Sequence, residues 1–192
     1  MHMTDFENDI TASLRVLRAG GLVLYPTDTI WGIGCDATSE AAVKDVFALK
    51  QREERKSLVV LLADVRDLLQ YVAQPHPDIA NIISGFDRPT TVIYDGALGL
   101  APSVVSQDGS VAIRIVQEPF CRHLVKRFRK PIVSTSANIS GQAPPANFAG
   151  IDPAIRNGVN YVVQYRQEDA TPAQPSRIVK VLANGALQVI RE

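Results

Sequence analysis

The sequence predicts a single α/β domain, a twisted and mixed β-sheet with helices packed on it, and three observations carry that prediction. Short strand-like apolar runs alternate with helical stripes along 192 residues, a length that suits one large domain. Leu58–Leu62 (LVVLL) is continuously apolar and then stops, as a strand buried on both faces does. The chain closes on Ile178–Leu182 and Leu187–Ile190 around Asn184-Gly185, a hairpin signal suited to a type I′ turn, and a hairpin adds antiparallel pairing.

Taken in order, Phe6, Ile10, Leu14 and Leu17 form a helical stripe that Thr4 or Asp5 can cap and Gly20-Gly21 ends. Leu22–Tyr25 is a short buried strand broken by Pro26. Ser39 caps a helix running to Lys50, with Ala42, Val43, Val46 and Phe47 as its apolar face. Asp64–Tyr71 and Pro77–Ile83 read as helices, and Thr90–Tyr94 and Val111–Ile115 as strands. Pro119–Phe128 is a helix with proline in its first turn. Ile132–Ser134 is a strand, Asp152-Pro153 starts a short helix, and Tyr161–Gln164 is a further strand. Ser140–Ala149 is rich in Gly, Pro and Asn and has no apolar periodicity. It reads as a mobile loop within one domain spanning 1–192, able to swing over a ligand.

A hydrophobic fraction of 46% is enough to bury a core. Twenty basic and twenty acidic side chains balance, which excludes a generally basic nucleic-acid coat but not a local basic patch. Such a patch lies within 114–130, where Arg114, Arg122, Lys126, Arg127, Arg129 and Lys130 face only Glu118. Cys35 and Cys121 are too few for a disulfide framework and read as core thiols. Three scattered histidines form no local metal motif, so no metal-ligating set is expected in the chain. The N-terminus is acidic with no apolar run, and no window approaches the ~18 apolar residues of a membrane span. A soluble, cytoplasmic protein is expected.

Four segments concentrate chemistry. Tyr25-Pro-Thr-Asp-Thr-Ile-Trp-Gly-Ile-Gly34 leaves a strand with hydroxyls, a carboxylate and two glycines, and ligands of open α/β sheets collect outside such strand ends. Lys50, Arg52, Arg55 and Lys56 place four cations within seven residues, more than a helix end requires, and could receive a polyphosphate. No G-x-x-x-x-G-K-[ST] is present, so such a site is not a P-loop. Arg114 sits inside the apolar strand VAIRI, where a guanidinium must meet an anion, either an internal carboxylate or a ligand. Ser134-Thr-Ser-Ala-Asn-Ile-Ser-Gly141 is dense in hydroxyls without a G-x-S-x-G elbow, which favours binding over covalent catalysis.

These segments, in this order, resemble the YrdC/TsaC family of threonylcarbamoyl-AMP synthases. The likeness runs from Gly20 to Arg191. Its pieces are GGLVLYPTDT with WGIGCDA, Lys50-x-Arg52-x-x-x-Lys56-x-Leu58, VAIR ending at Arg114, STSANISG, Pro175-Ser176-x-Ile-Val, and Ile190-Arg191. The resemblance implies a large concave basic site on a twisted mixed sheet. It also implies a nucleotidyltransferase that joins L-threonine, bicarbonate and ATP, with Mg²⁺ accompanying the ATP, into threonylcarbamoyl-adenylate and pyrophosphate. A downstream transferase complex would then carry the threonylcarbamoyl group to adenosine 37 of tRNA, while the basic run 114–130 reads first as a solvated helix face and second as a tRNA contact. By position, Thr29, Arg114, Ser134 and Ser176 would hold threonine. Arg52, Lys56, Ser136, Asn138 and Arg191 would hold the nucleotide, and Lys50 and Arg52 would act on the phosphates.

The chain departs from the family pattern at two places. Phe86-Asp-Arg-Pro-Thr-Thr91 stands where a Trp-Pro-Gly-Pro-Leu-Thr-like run is usual, and Arg177 and Lys180 add positive charge near the expected pocket. The resemblance is to the short form, without an extra C-terminal domain. Two rival readings are a non-catalytic RNA-binding protein of ribosome maturation that uses the same concavity, and a relative that adenylates carbamoyl phosphate.

Overall fold

The computed structural model of the protein describes residues 6–51 and 58–192. The first helix, α1 (Glu7–Arg18), buries Ile10, Leu14 and Leu17, the stripe read from the sequence. Its N-cap position is Phe6, and the expected caps Thr4 and Asp5 lie outside the described residues. The helix closes when the Gly20 N–H donates to Leu17 O (3.1 Å) and the Gly21 N–H to Val16 O (2.9 Å), the double bond of a Schellman stop. Asp9 is buried in α1 because its carboxylate accepts the Tyr161 hydroxyl at 2.6 Å and the backbone N–H groups of Gln164 and Tyr165 at 2.9 Å.

The described residues build a sheet of nine strands. They are β1 (Val23–Tyr25), β2 (Gly32–Gly34), β3 (Val59–Leu62), β4 (Thr90–Tyr94), β5 (Val111–Ile115), β6 (Ile132–Ser136), β7 (Tyr161–Val162), β8 (Arg177–Val181) and β9 (Leu187–Arg191). Their spatial order is β7-β1-β2-β6-β3-β5-β4-β8-β9. Pairs β1/β7, β3/β5 and β4/β8 are parallel and the other five antiparallel, so the sheet is mixed as expected.

Two corrections to the expected strands have simple causes. The glycine-flanked β2 carries no strand signal of its own. It pairs because a Cβ at Gly34 would lie 2.6 Å from the Tyr25 ring and 2.9 Å from Val133 O, so only glycine fits between the neighbouring strands. The terminal hairpin does not use a type I′ turn. Gly185 donates its N–H to Leu182 O (2.8 Å) and alone in the turn has positive φ (+80°), so Ala183-Asn184-Gly185 forms a three-residue loop with glycine in the left-handed position.

The two faces of the sheet differ in side-chain size. On one face the registered row Val133–Val60–Ile113–Val92–Val179 crosses five strands, and every member is at most 1% exposed. Each such burial contributes roughly 1.5–3 kcal/mol. The row belongs to one core with the helices. α2 (Glu40–Lys50) contributes Val43, Val46 and Phe47, and α4 (Pro119–Phe128) contributes Phe120, Leu124 and Phe128. On the opposite face the adjacent row is Ser134–Val59–Ala112–Ile93, with Gly32 paired to Ser136 beyond it. Gly32, Ala112, Ser134 and Ser136 are small, and a hollow lies over them between Val59 and Ile93.

Between the strands, Asp64–Tyr71 is a 3₁₀ helix (Val65–Gln70), and α3 covers Ile79–Ser84. A last short helix, α5 (Pro153–Gly158), is capped by Asp152. Cys35 and Cys121 are both fully buried and free, and burial pushes both thiols well above their usual range. Among the described residues no helix is long and apolar enough to cross a membrane.

Candidate active site

The hollow on the small-residue face is a cavity of about 360 Å³. Six of the expected site residues line it: Thr29, Arg114, Ser134, Ser136, Ser176 and Arg191. They arrive from five places in the chain. Ser134 and Ser136 alternate along β6 and so share a face. Arg114 comes from β5 and Arg191 from the edge strand β9. Thr29 lies in the loop between β1 and β2, where its hydroxyl sits 2.9 Å from that of Thr27 and its N–H donates to Thr27 Oγ1 at 3.0 Å. Ser176 precedes β8, and its hydroxyl pairs with that of buried Thr91 at 2.8 Å.

The guanidinium groups meet different partners. Arg114 Nη2 lies 3.1 Å from Asp28 Oδ1, with both side chains almost wholly buried, so the strand arginine does meet an internal carboxylate while also lining the cavity. Arg191 Nη2 donates to Ser176 O at 2.8 Å and ties the edge strand to the cavity rim. Burial, and then the positive charge of Arg114, disfavour its charged form. A bound anion would relieve both guanidinium groups.

Behind this wall, Glu118 caps α4 by accepting the Cys121 N–H at 2.8 Å, and burial holds its carboxyl above the usual range. Arg166, at φ 65°, reaches from the loop after β7 to within 3.9 Å of Glu118 and donates to Thr27 O at 3.0 Å. Arg166 thereby links the loop that carries Thr29 to Glu118 at the start of α4.

Two of the remaining expected residues, Lys50 and Asn138, lie outside the cavity lining. Lys50 is fully buried and does not line the cavity. Its ammonium donates to the carbonyls of Ser136 and Asn138, which fixes the backbone leaving β6. Asn138 is buried and donates to the carbonyls of Ile139 and Gln142 at 3.0 and 2.8 Å, so it shapes the loop. Arg52 and Lys56 lie outside the described residues. The charge added by Arg177 and Lys180 is neutralised away from the cavity. Arg177 packs over the Phe86 ring at 5.6 Å and pairs with Asp87 at 3.4 Å, while Lys180 pairs with Asp95 at 3.0 Å. Arg177 meets the other departure, Phe86-Asp87, and the two are one local exchange.

The loop 140–149, expected to lack apolar anchoring, has one anchor. Phe148 lies against Trp31 with ring centroids 4.8 Å apart, and Ser140 N–H bonds Lys50 O at 2.8 Å. Pro144 from this loop walls the cavity. The sequence reading missed Ser106, Ser110, Ile93 and Ile178, which also line it. Ile93 could have been found from its alternation with Thr91 along β4 and Ile178 from its alternation with Ser176, whereas Ser106 and Ser110 sit in a turn-rich loop that carries no periodic signal.

A mixed sheet that leaves one small-residue face open beneath hydroxyls and two arginines defines a class of α/β protein. The chain belongs to the Sua5/YciO/YrdC family, whose model, described as "Telomere recombination", matches residues 15–192. Among its relatives is the threonylcarbamoyl-AMP synthase of Stenotrophomonas maltophilia (strain K279a), 31% identical over 95% of this chain and 98% of that one. Solved structures share the fold. P. abyssi Sua5 complexed with L-threonine superposes with a TM-score of 0.81 at 22% identity, over 96% of this chain and 54% of that one. Full-length HypF in its phosphate- and nucleotide-bound form gives 0.81 at 20% identity, over 95% of this chain and 28% of that one.

Proposed function

We propose that this protein is an L-threonylcarbamoyl-adenylate synthase. The observation that supports it most is the convergence of Thr29, Arg114, Ser134 and Ser176 with Ser136 and Arg191 on one cavity. The threonine ammonium first gives up a proton to solvent; the neutral nitrogen then attacks the carbon of bicarbonate, and water leaves, giving a carbamate. A carbamate oxygen then attacks the α-phosphorus of ATP, and pyrophosphate leaves with the electron pair of the broken P–O bond. No enzyme nucleophile is required, so the protein contributes positioning and charge neutralisation.

Arg114 receives the amino-acid carboxylate, and the hydroxyls of Thr29, Ser134 and Ser176 fix its orientation. Ser136 and Arg191 bind the nucleotide side, with Arg52 and Lys56 as the expected phosphate ligands. Lys50 and Asn138 act in this reading as positioning residues for the β6 loop. Magnesium enters with ATP as part of the substrate. The described cavity lining offers hydroxyls and guanidinium groups but no carboxylate, a donor set that leaves the ion to phosphate oxygens and water.

For RNA, the second half of the proposed pathway, a separate groove of about 300 Å³ is lined by Arg66, Arg122, Lys126, Arg129 and Lys130 against Asp64 and Asp67; Arg66 pairs with Asp64 and Lys130 with Asp36, which leaves Arg122, Lys126 and Arg129 as the cations offered to phosphates. The dipole of α4 favours cations in its last turn but not Arg122 near its start, so the helix end alone does not account for the cluster. Salt-dependent tRNA binding that weakens in Arg122→Glu/Lys126→Glu is the expected signature.

The deciding assay follows pyrophosphate release from ATP with each substrate omitted in turn. Release should require both L-threonine and bicarbonate. Serine should be poorer, since filling a methyl pocket is worth about 1 kcal/mol. Equal release without threonine would overturn the assignment, and release with carbamoyl phosphate in place of both would support the carbamoyl-adenylating alternative. RNA binding with no turnover at all would support the ribosome-maturation alternative.

A further inference from the structure

Asp28 lies one ion pair behind the cavity. Its Oδ1 is 3.1 Å from Arg114 Nη2, and the two side chains are 11% and 5% exposed. Among the described residues Arg114 makes no other ion pair, and its Nε is buried without a hydrogen-bond partner. Asp28 Oδ1 is likewise buried without a hydrogen bond, so the contact is one of charge rather than of well-aligned donors. Oδ2 sits 3.5 Å from the Gln117 N–H. Asp28 borders a second hollow on its far side but does not line the cavity, so it acts on a ligand only through Arg114 or through its field.

An isolated buried guanidinium attracts any anion. It also repels the α-ammonium of an amino acid whose carboxylate it binds, because the two charged ends of that ligand lie only a few ångströms apart. A carboxylate held 3.1 Å behind the guanidinium cancels much of that repulsion and leaves the remaining donors free for the ligand's carboxylate. We propose that Asp28 is the specificity-determining partner of Arg114, making this subsite select a zwitterionic amino acid over a simple carboxylate or inorganic anion. The inference rests on the reading of the cavity as a threonine site.

The test compares binding of L-threonine and 3-hydroxybutyrate by titration calorimetry, without nucleotide. The two share carboxylate and hydroxyl, and only threonine carries the ammonium. The natural protein should prefer threonine by at least about tenfold. Asp28→Asn should bring the two within roughly threefold, chiefly by tightening the hydroxy acid, while Asp28→Glu, which keeps the charge, should retain the preference. Melting curves establish that the variants fold, and if Asp28→Asn does not, the natural protein and Asp28→Glu decide. A natural protein that binds both ligands equally overturns the proposal, as does an Asp28→Asn variant that weakens both in the same proportion. Absence of threonine binding overturns the threonine-site reading and this inference together, whereas threonine binding without discrimination overturns this inference alone.

Discussion

Ile113 and Arg114 are adjacent in β5 and do opposite work. Ile113 belongs to the row Val133–Val60–Ile113–Val92–Val179, an unbroken apolar row in one core with the helices. Arg114 belongs to the face where Gly32, Ala112, Ser134 and Ser136 leave about 360 Å³ open. The backbone ladder is common to both faces, so the difference lies in the polarity and size of the side chains and in the helices that join the closed row in one core. One face spends its residues on cohesion and the other on a binding surface. Substitutions on the two faces should therefore fail in different assays.

The largest expected effect is on the closed face. Ile113→Ala should destabilise by about 2–5 kcal/mol, seen as a lower midpoint in urea, with turnover per folded molecule unchanged. Loss of activity at unchanged stability would erase the distinction between the faces. On the open face, Ala112→Leu adds volume where there is space for it. Its melting temperature should stay close to that of the natural protein, while threonine-dependent pyrophosphate release falls roughly tenfold to a hundredfold, since small misplacements of bound reactants are that costly. The same kind of enlargement in the closed row should instead strain the core by about 1–3 kcal/mol.

A smaller effect is expected where charge sits near the cavity without facing it. Arg177→Ala loses contacts with Phe86 and Asp87 on a partly exposed rim, so stability should drop by less than about 1 kcal/mol and the threonine KM should not move. A shifted KM would mean that this exchange reaches the site after all.

The smallest effect concerns Glu118 behind the open face. Burial raises its pKa above the usual 4.5, so folding favours its protonated form. Its ionisation therefore costs stability as pH rises through the folded-state value, and that cost disappears as pH falls back through it. Glu118→Gln keeps an acceptor for the Cys121 N–H. The melting temperature of the variant relative to the natural protein should be higher at neutral pH than at pH 4, and the reverse order would sink the assignment of burial as the dominant cause.

Much of the fold was legible because it rests on periodicity. The stripe of α1, the capped α2 and the apolar runs of β3 and β5 are local patterns, and each stands where the sequence reading put it. Strand β2 was not legible, because glycine carries no strand preference and Gly34 is required only by Tyr25 and Val133, which are distant in sequence. The turn type of the last hairpin was misread for a related reason. Asn-Gly permits two turn geometries, and the strand register decides between them.

For the site, residue type and local order in the sequence marked the segments that hold Thr29, Arg114, Ser134 and Ser136, because dense hydroxyls and an arginine inside an apolar strand are locally improbable without a partner, whereas Ser176 and Arg191 were marked only by the resemblance to the family. The sequence by itself determined the alternation of strands and helices, the balance of charge and the segments rich in chemistry, all of which follow from short-range pattern. Only the tertiary structure decided that Lys50 turns inward onto carbonyls, that Arg177 is answered by Phe86 and Asp87, and that Arg114 shares its charge with Asp28. Those outcomes depend on which groups meet across the sheet, and a charge's role is set by the nearest opposite charge or acceptor in space, a distance that spacing along the chain does not encode.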